Sequence, residues 1–305
     1  MLELLKQVAF VAARDISVLL TGASGTGKTH LARVLHHNSP RAARGFIEVS
    51  CANLPETLLE SELFGAIAGA HSTATRTVPG KVHAAEGGTL FLDEVAELAP
   101  AAQAKLLQLL NSREYYPLGA NRPRVADIRL VAATNADLGD LVKRKAFRED
   151  LYYRLAVYAL RVPSLAERCD DVPALAEHFC ARACARHRLP ALTISPSTLQ
   201  RLRAAEWPGN IRQLAHTVEA AAIWAASEGS PRLEERHLFP DRSDAPEPAA
   251  RAGYHEATAR FQAQLLRGTL EATGWNIAEA ARRLELTRAH VYNLIERFAL
   301  TRPQP

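Results

Sequence analysis

Residues Gly22-Ala23-Ser24-Gly25-Thr26-Gly27-Lys28-Thr29 follow the pattern G-x-x-x-x-G-K-[ST], which is suited to holding a chain of phosphates. Glycines at this spacing let backbone N–H groups close around phosphate oxygens, and a helix starting there adds partial positive charge. Lys28 is placed to reach the β- and γ-phosphates, and Thr29 to offer a hydroxyl to Mg2+. A plain glycine turn would require neither the lysine nor the hydroxyl.

A second stretch, Gly87-Gly88-Thr89-Leu90-Phe91-Leu92-Asp93-Glu94, is an apolar run that ends in two carboxylates. Beside a phosphate-binding loop, an aspartate at a strand end holds Mg2+. An adjacent glutamate polarises an attacking water. The pair therefore points to hydrolysis as well as binding. The run Ile128–Ala132 leads into Thr134-Asn135, where a polar side chain could sense the γ-phosphate. On those residues alone, a turn asparagine is the simpler reading.

These residues need a frame. Val18–Leu20, Phe46–Val49, Leu90–Leu92, Ile128–Ala132 and Tyr158–Val162 read as short buried strands, and helical patterns lie between them. After Pro100, residues Gln103, Leu106, Leu107 and Leu110 share one helical face. Alternating strands and helices over 1–165 predict an α/β fold with a parallel sheet sandwiched by helices. Residues 166–240 contain no convincing strand and read as an all-α subdomain, with helices over Pro173–His187, Ser197–Ala205 (capped by Ser195 and opened by Pro196) and Ile211–Ala226. A polar, proline-containing linker is expected over 241–252. The last block, 253–305, is helical, with Tyr254–Ala272 followed by Ile277–Leu284 and Arg288–Phe298, the last two joined by Glu285-Leu286-Thr287. That pairing suggests a helix-turn-helix. From 251 onward there are eight arginines against five glutamates, which suits DNA but suits a solvated helical bundle equally.

Bulk properties narrow the classes. At 48% hydrophobic and 23% charged, the chain has ordinary globular composition, and a net charge of +4 requires any nucleic-acid site to be local. No run approaches the roughly 18 apolar residues that cross a bilayer, and the first residues lack a secretory pattern, so a cytoplasmic location and no membrane partner are expected. Cys180 and Cys184, with His178 and His187 nearby, fit no common zinc spacing and read as small residues on a packed helix face.

The motifs together resemble the AAA+ ATPase of bacterial enhancer-binding proteins, the activators of sigma-54 RNA polymerase. The likeness is carried by Glu60-Ser61-Glu62-Leu63-Phe64-Gly65, the Gly87–Glu94 stretch, Ala132-Ala133-Thr134-Asn135, the run from Phe147 through Arg148 and Arg154 to Leu155, and Trp207-Pro208-Gly209-Asn210-Ile211-Arg212. The C-terminal block resembles the Fis-type helix-turn-helix usual in that family. The resemblance implies ATP and Mg2+ as cofactors. It makes Lys28, Thr29, Asp93 and Glu94 the nucleotide, metal and water residues, Thr134 and Asn135 the first sensor, and Arg212 the second sensor on a lid. Arg148 and Arg154 match arginine fingers supplied in trans within a ring, for which the resemblance implies a hexamer. Without the family, the simpler reading is that they pair with Glu149 and Asp150 on a helix surface. Double-stranded DNA is the implied partner of 253–305, with Thr287 capping the recognition helix, Arg288, His290, Asn293 and Arg297 as candidate contacts, and Leu284, Leu294 and Phe298 as core.

The chain departs from the family pattern at several points. The loop Gly69-Ala70-His71-Ser72-Thr73-Ala74 stands where the family has Gly-Ala-Phe-Thr-Gly-Ala and touches sigma-54. Histidine for phenylalanine removes an apolar anchor, and threonine for glycine stiffens the tip. Ser50 stands where an asparagine commonly restrains the catalytic glutamate, with shorter reach. Thr29 replaces the usual glutamate, and the ATPase pattern starts almost at Met1, which implies regulation from elsewhere. Two alternatives follow. One is a sigma-54-independent DNA-binding regulator whose AAA+ module only assembles or senses nucleotide. The other is a remodelling ATPase whose terminal helices bind protein.

Overall fold

A computed structural model describes residues 2–52, 55–70, 76–238 and most of 266–298. Two compact units emerge, Met1–Phe239 and Pro240–Pro305.

In the first unit, five parallel strands form one sheet in the spatial order Phe46–Ser50, Thr89–Asp93, Arg129–Thr134, Val18–Thr21, Tyr158–Arg161. Side chains alternate between two cores. Leu19, Leu90, Leu92, Leu130 and Ala132 enter one, beneath helices Glu56–Phe64, Pro100–Ser112 and Glu149–Leu155. Val18, Leu20, Phe91, Val131 and Ala133 enter the other, beneath Leu2–Ala12 and Lys28–His37. A sheet apolar on both faces is why these strands read as continuous hydrophobic runs. Leu90, Phe91 and Leu92 are fully buried, each stabilising the fold by about 1.5–3 kcal/mol, so the strand that delivers Asp93 is firmly seated.

Two details differ from expectation. In Pro100–Ser112 the buried positions are Ala102, Gln103, Leu106 and Leu109, while Leu107 and Leu110 are only half-buried. The inward face is thus turned toward Leu109. The strand expected over Ile128–Ala132 runs from Arg129 to Thr134, and Arg129 is 2% exposed. Its guanidinium donates to the Ala12 carbonyl at 2.8 Å and the Val11 carbonyl at 3.0 Å, capping the C-terminal end of Leu2–Ala12.

The helical subdomain packs Val172–His187, Pro196–Ala204 and Asn210–Ser227 around Leu165, Phe179, Leu202, Leu214 and Val218. Ser195 Oγ accepts the Thr198 N–H at 3.2 Å, with Pro196 opening the helix. The all-α expectation misses a parallel pair, Thr193–Ile194 with Arg232–Leu233, too short to show alternation in sequence. Cys180 and Cys184 are buried in this core, and burial pushes the Cys180 thiol up to about 12.

In the second unit, Ile277–Arg283 and Arg288–Arg297 pack with Leu266 and Leu270 around Ala280, Ala281 and Val291. Leu284, Leu294 and Phe298 lie against this core. Asn276 caps the first helix, its Oδ1 accepting the Ala278 N–H at 3.1 Å and the Glu279 N–H at 3.3 Å. The linker 241–252, most of the helix expected from Tyr254, and the turn residues Glu285 and Thr287 lie outside the described residues. Among the described residues no helix is long and apolar enough to cross a membrane.

Candidate nucleotide site

The strand Val18–Thr21 ends and the loop follows at once. Its tightest point is Gly25, with φ of 76°, where a Cβ would lie 2.4 Å from the Gly209 carbonyl oxygen. Only glycine tolerates both that backbone and that approach. Lys28 opens helix Lys28–His37 and is 6% exposed. Its Nζ donates to the Gly22 carbonyl at 2.8 Å and the Ala23 carbonyl at 3.3 Å, and lies 3.9 Å from Glu94 Oε1. Burial lowers the Lys28 pKa, opposed by the charges of Glu94 and Asp93, while Arg212 lowers it further.

Asp93 ends the strand Thr89–Asp93, in register with Ser50. Burial raises its pKa, the Glu94 charge adds to that, and Lys28 opposes it. Glu94 turns out of the strand at φ 54° and donates its own N–H to Asp93 Oδ1 at 3.2 Å. Its Oε2 accepts the backbone N–H of Asn135 at 3.0 Å. Among the described residues no hydrogen bond joins Ser50 to Glu94. The Glu94 carboxylate is held instead from the neighbouring strand end, through the Asn135 N–H. Thr134 is fully buried, and Asn135 is exposed.

The helical subdomain closes the other side. Arg212 Nη1 donates to Ser24 Oγ at 3.2 Å, and one cleft is lined by Ser24, Gly25, Gly27, Lys28, Thr29, Asp93, Glu94, Ile211 and Arg212. Two contacts escaped sequence reading. Asn210 Nδ2 donates to the Ser24 carbonyl at 2.9 Å, and Arg168 Nη2 to the Thr26 carbonyl at 2.9 Å.

Arg148 and Arg154 do not line this cleft; both are exposed. Arg148 makes a two-pronged pair with Asp150, at 3.0 and 2.8 Å, whereas Arg154 Nε donates to Asn111 Oδ1 at 2.6 Å and not to a carboxylate. Buried Gln103 fixes the start of this helix, accepting the Arg148 N–H at 2.9 Å and donating to the Ala146 carbonyl at 3.2 Å. Only its place on the apolar face of its helix signalled this in the sequence.

An antiparallel pair, Gly65–Ala66 with Val78–Pro79, closes the base of the segment carrying the expected sigma-54 loop. Gly69 and Ala70 lie at its start, and His71, Ser72, Thr73 and Ala74 lie outside the described residues. Arg288, His290 and Asn293 are exposed on their helix; Arg297 is in the same helix, its side chain outside the described set.

The fold and the cleft define an AAA+ phosphate-loop ATPase module with a helical lid. The chain matches the family models of the sigma-54 interaction domain over residues 1–161, the AAA+ ATPase lid domain over 166–253, and the bacterial regulatory protein, Fis family, over 258–298. It belongs to the sigma-54 interaction domain family. It is 42% identical over 301 residues to the transcriptional regulatory protein GlrR of Escherichia coli (strain K12), covering 98% of this chain and 66% of that one. To the anaerobic nitric oxide reductase transcription regulator NorR of Klebsiella pneumoniae (strain 342) it is 40% identical over 317 residues, covering 100% and 61%. The crystal structure of NtrX from Brucella abortus superposes with a TM-score of 0.76 at 29% identity, over 98% of this chain and 68% of that one. NtrX in complex with ATP gives 0.73 at 30% identity, with the same coverage. The chain thus spans 61–66% of the length of these two curated relatives.

Proposed function

We propose that the chain hydrolyses ATP and uses the energy to remodel sigma-54 RNA polymerase holoenzyme while bound to DNA. The observation that carries this reading is the convergence of Lys28, Asp93, Glu94 and Arg212 on one cleft, with Glu94 held by the Asn135 backbone. Glu94 polarises the attacking water, Lys28 and the loop N–H groups hold the phosphates, and Arg212 reaches the nucleotide from the lid. Thr29 and Asp93 offer hard oxygens that suit Mg2+, and the cation would offset the burial and the neighbouring Glu94 charge that together raise the Asp93 pKa. Bound there, Mg2+ would neutralise charge on the phosphates.

Arg148 and Arg154 act in trans, which fits their exposure away from their own cleft and makes turnover depend on a ring, a hexamer in this reading. The working division is an α/β ATPase over 1–165, a lid over 166–240, a linker over 241–252 and a DNA-binding domain over 253–305, in a cytoplasmic protein. Arg288, His290, Asn293 and Arg297 meet double-stranded DNA.

The replacement of phenylalanine by His71 and of glycine by Thr73 favours a second reading, a DNA-binding regulator independent of sigma-54. Sigma-54 binding by the purified chain, with ATP and with a transition-state analogue, decides between them. Capture that needs the analogue supports remodelling, and no capture with nucleotide binding intact supports the second reading.

A further inference from the structure

Three successive carbonyls of the phosphate loop accept hydrogen bonds from the lid. Ser24 O receives Asn210 Nδ2 at 2.9 Å, Gly25 O the Arg212 N–H at 3.3 Å, and Thr26 O Arg168 Nη2 at 2.9 Å. The described residues contain no cis peptide, and in a trans peptide the carbonyl and the following N–H point in opposite directions. Turning these carbonyls to the lid therefore turns the N–H groups of Gly25, Thr26 and Gly27 away from it. Those are the donors that a loop of this kind offers to the α- and β-phosphates.

The two side chains are built for the task. Asn210 is 3% exposed and sits at φ 51°, a conformation asparagine tolerates better than most residues. Its Oδ1 accepts the Leu165 N–H at 2.8 Å while its amide donates to Ser24, so one side chain ties the loop to the segment entering the lid. The Arg168 side chain is 8% exposed and reaches Thr26, itself 2% exposed.

We propose that Asn210 and Arg168 are positioning residues that set the peptide planes of the phosphate loop, and so govern its affinity for the phosphates shared by ATP and ADP. The inference rests on the reading of this cleft as a nucleotide site. A γ-phosphate sensor would favour ATP over ADP, whereas a device acting on the loop backbone affects both alike.

The test is equilibrium binding of fluorescent ATP and ADP, with Mg2+, to the full chain and its variants, with melting temperature read in parallel. Asn210→Asp keeps the acceptor for Leu165 and replaces the donor facing Ser24 with an oxygen. Arg168→Gln shortens the reach to Thr26, and Lys28→Ala marks loss of the site itself. Each lid variant is expected to weaken ATP and ADP by a similar factor, roughly tenfold, from one lost buried hydrogen bond. Arg168→Lys, which keeps a cationic donor, recovers part of that loss. Should Asn210→Asp fail to fold, the Arg168 variants decide on the same readouts. Unchanged affinities with only a lower melting temperature would overturn the inference, as would weakening confined to ATP. Binding lost in Lys28→Ala but kept in both lid variants overturns this inference alone. A wild-type chain that binds neither nucleotide overturns the site reading along with it.

Discussion

The backbone N–H of Asn135 donates to Glu94 Oε2 at 3.0 Å, joining the ends of two adjacent strands. The carboxylate proposed to polarise water is thus held by the strand whose tip would feel the γ-phosphate. Glu94→Gln is expected to lower ATP turnover by about 10²–10⁴-fold while leaving nucleotide affinity near wild type. Lys28→Ala loses affinity as well. Steady-state hydrolysis paired with equilibrium binding separates the two, and turnover like wild type in Glu94→Gln removes that residue from the mechanism.

Arg154→Ala is expected to reduce turnover by roughly 10³-fold or more, as for arginine fingers elsewhere. The informative measurement is a mixture. Arg154→Ala subunits bind nucleotide but lack the finger; Lys28→Ala subunits lack nucleotide but supply it. Activity regained on mixing two inactive preparations places the arginine in trans, and an inactive mixture places it elsewhere.

His36 is 2% exposed, with Nδ1 2.9 Å from Thr89 Oγ1, and burial holds its pKa below the ordinary value of 6.5. The unfolded chain therefore takes up a proton there before the folded chain does, so stability is fully present above about pH 6.5 and falls as the pH drops toward the lowered value. In urea unfolding, the stability difference between wild type and His36→Gln should narrow as pH falls from about 7.5 to 5.5. A gap independent of pH would rule out this linkage.

Arg129→Met keeps bulk at the start of the strand Arg129–Thr134 and removes the donors that satisfy Val11 and Ala12. A loss of about 1–3 kcal/mol is expected from leaving those carbonyls unpaired, read as a lower urea midpoint at unchanged slope. Retained stability would mean that water satisfies that helix end.

DNA binding by the full chain should fall steeply with salt. Arg288→Ala and Asn293→Ala should each cost about 1–3 kcal/mol at a preferred site if they read base edges. Fluorescence anisotropy across a salt series distinguishes this from a uniform loss on all sequences, which would assign them to phosphates.

The phosphate loop and Asp93-Glu94 were legible because their chemistry is written in adjacent residues and framed by a local strand and helix. The arginines at 148 and 154 needed the family pattern, since nothing in a local window separates a finger from a surface ion pair. Asn210 and Arg168 were opaque for a different reason. Their partners lie 186 and 142 residues away, and neither residue type announces such a contact. Arg129 lay unremarked inside the expected strand Ile128–Ala132, because burial of a charge is decided by the helix laid over it. The two-residue strands at Gly65, Thr193 and Arg232 fall below the length at which alternation exists at all.

The loop carbonyls turned toward the lid also impose a reciprocity. Whatever factor lid docking adds to nucleotide affinity, bound nucleotide must add to lid docking, because both routes around the thermodynamic cycle reach the same state. The lid is then a reporter as well as a support, and its hydrogen-exchange protection should rise with nucleotide occupancy by the same free energy that the docked lid contributes to the binding constant.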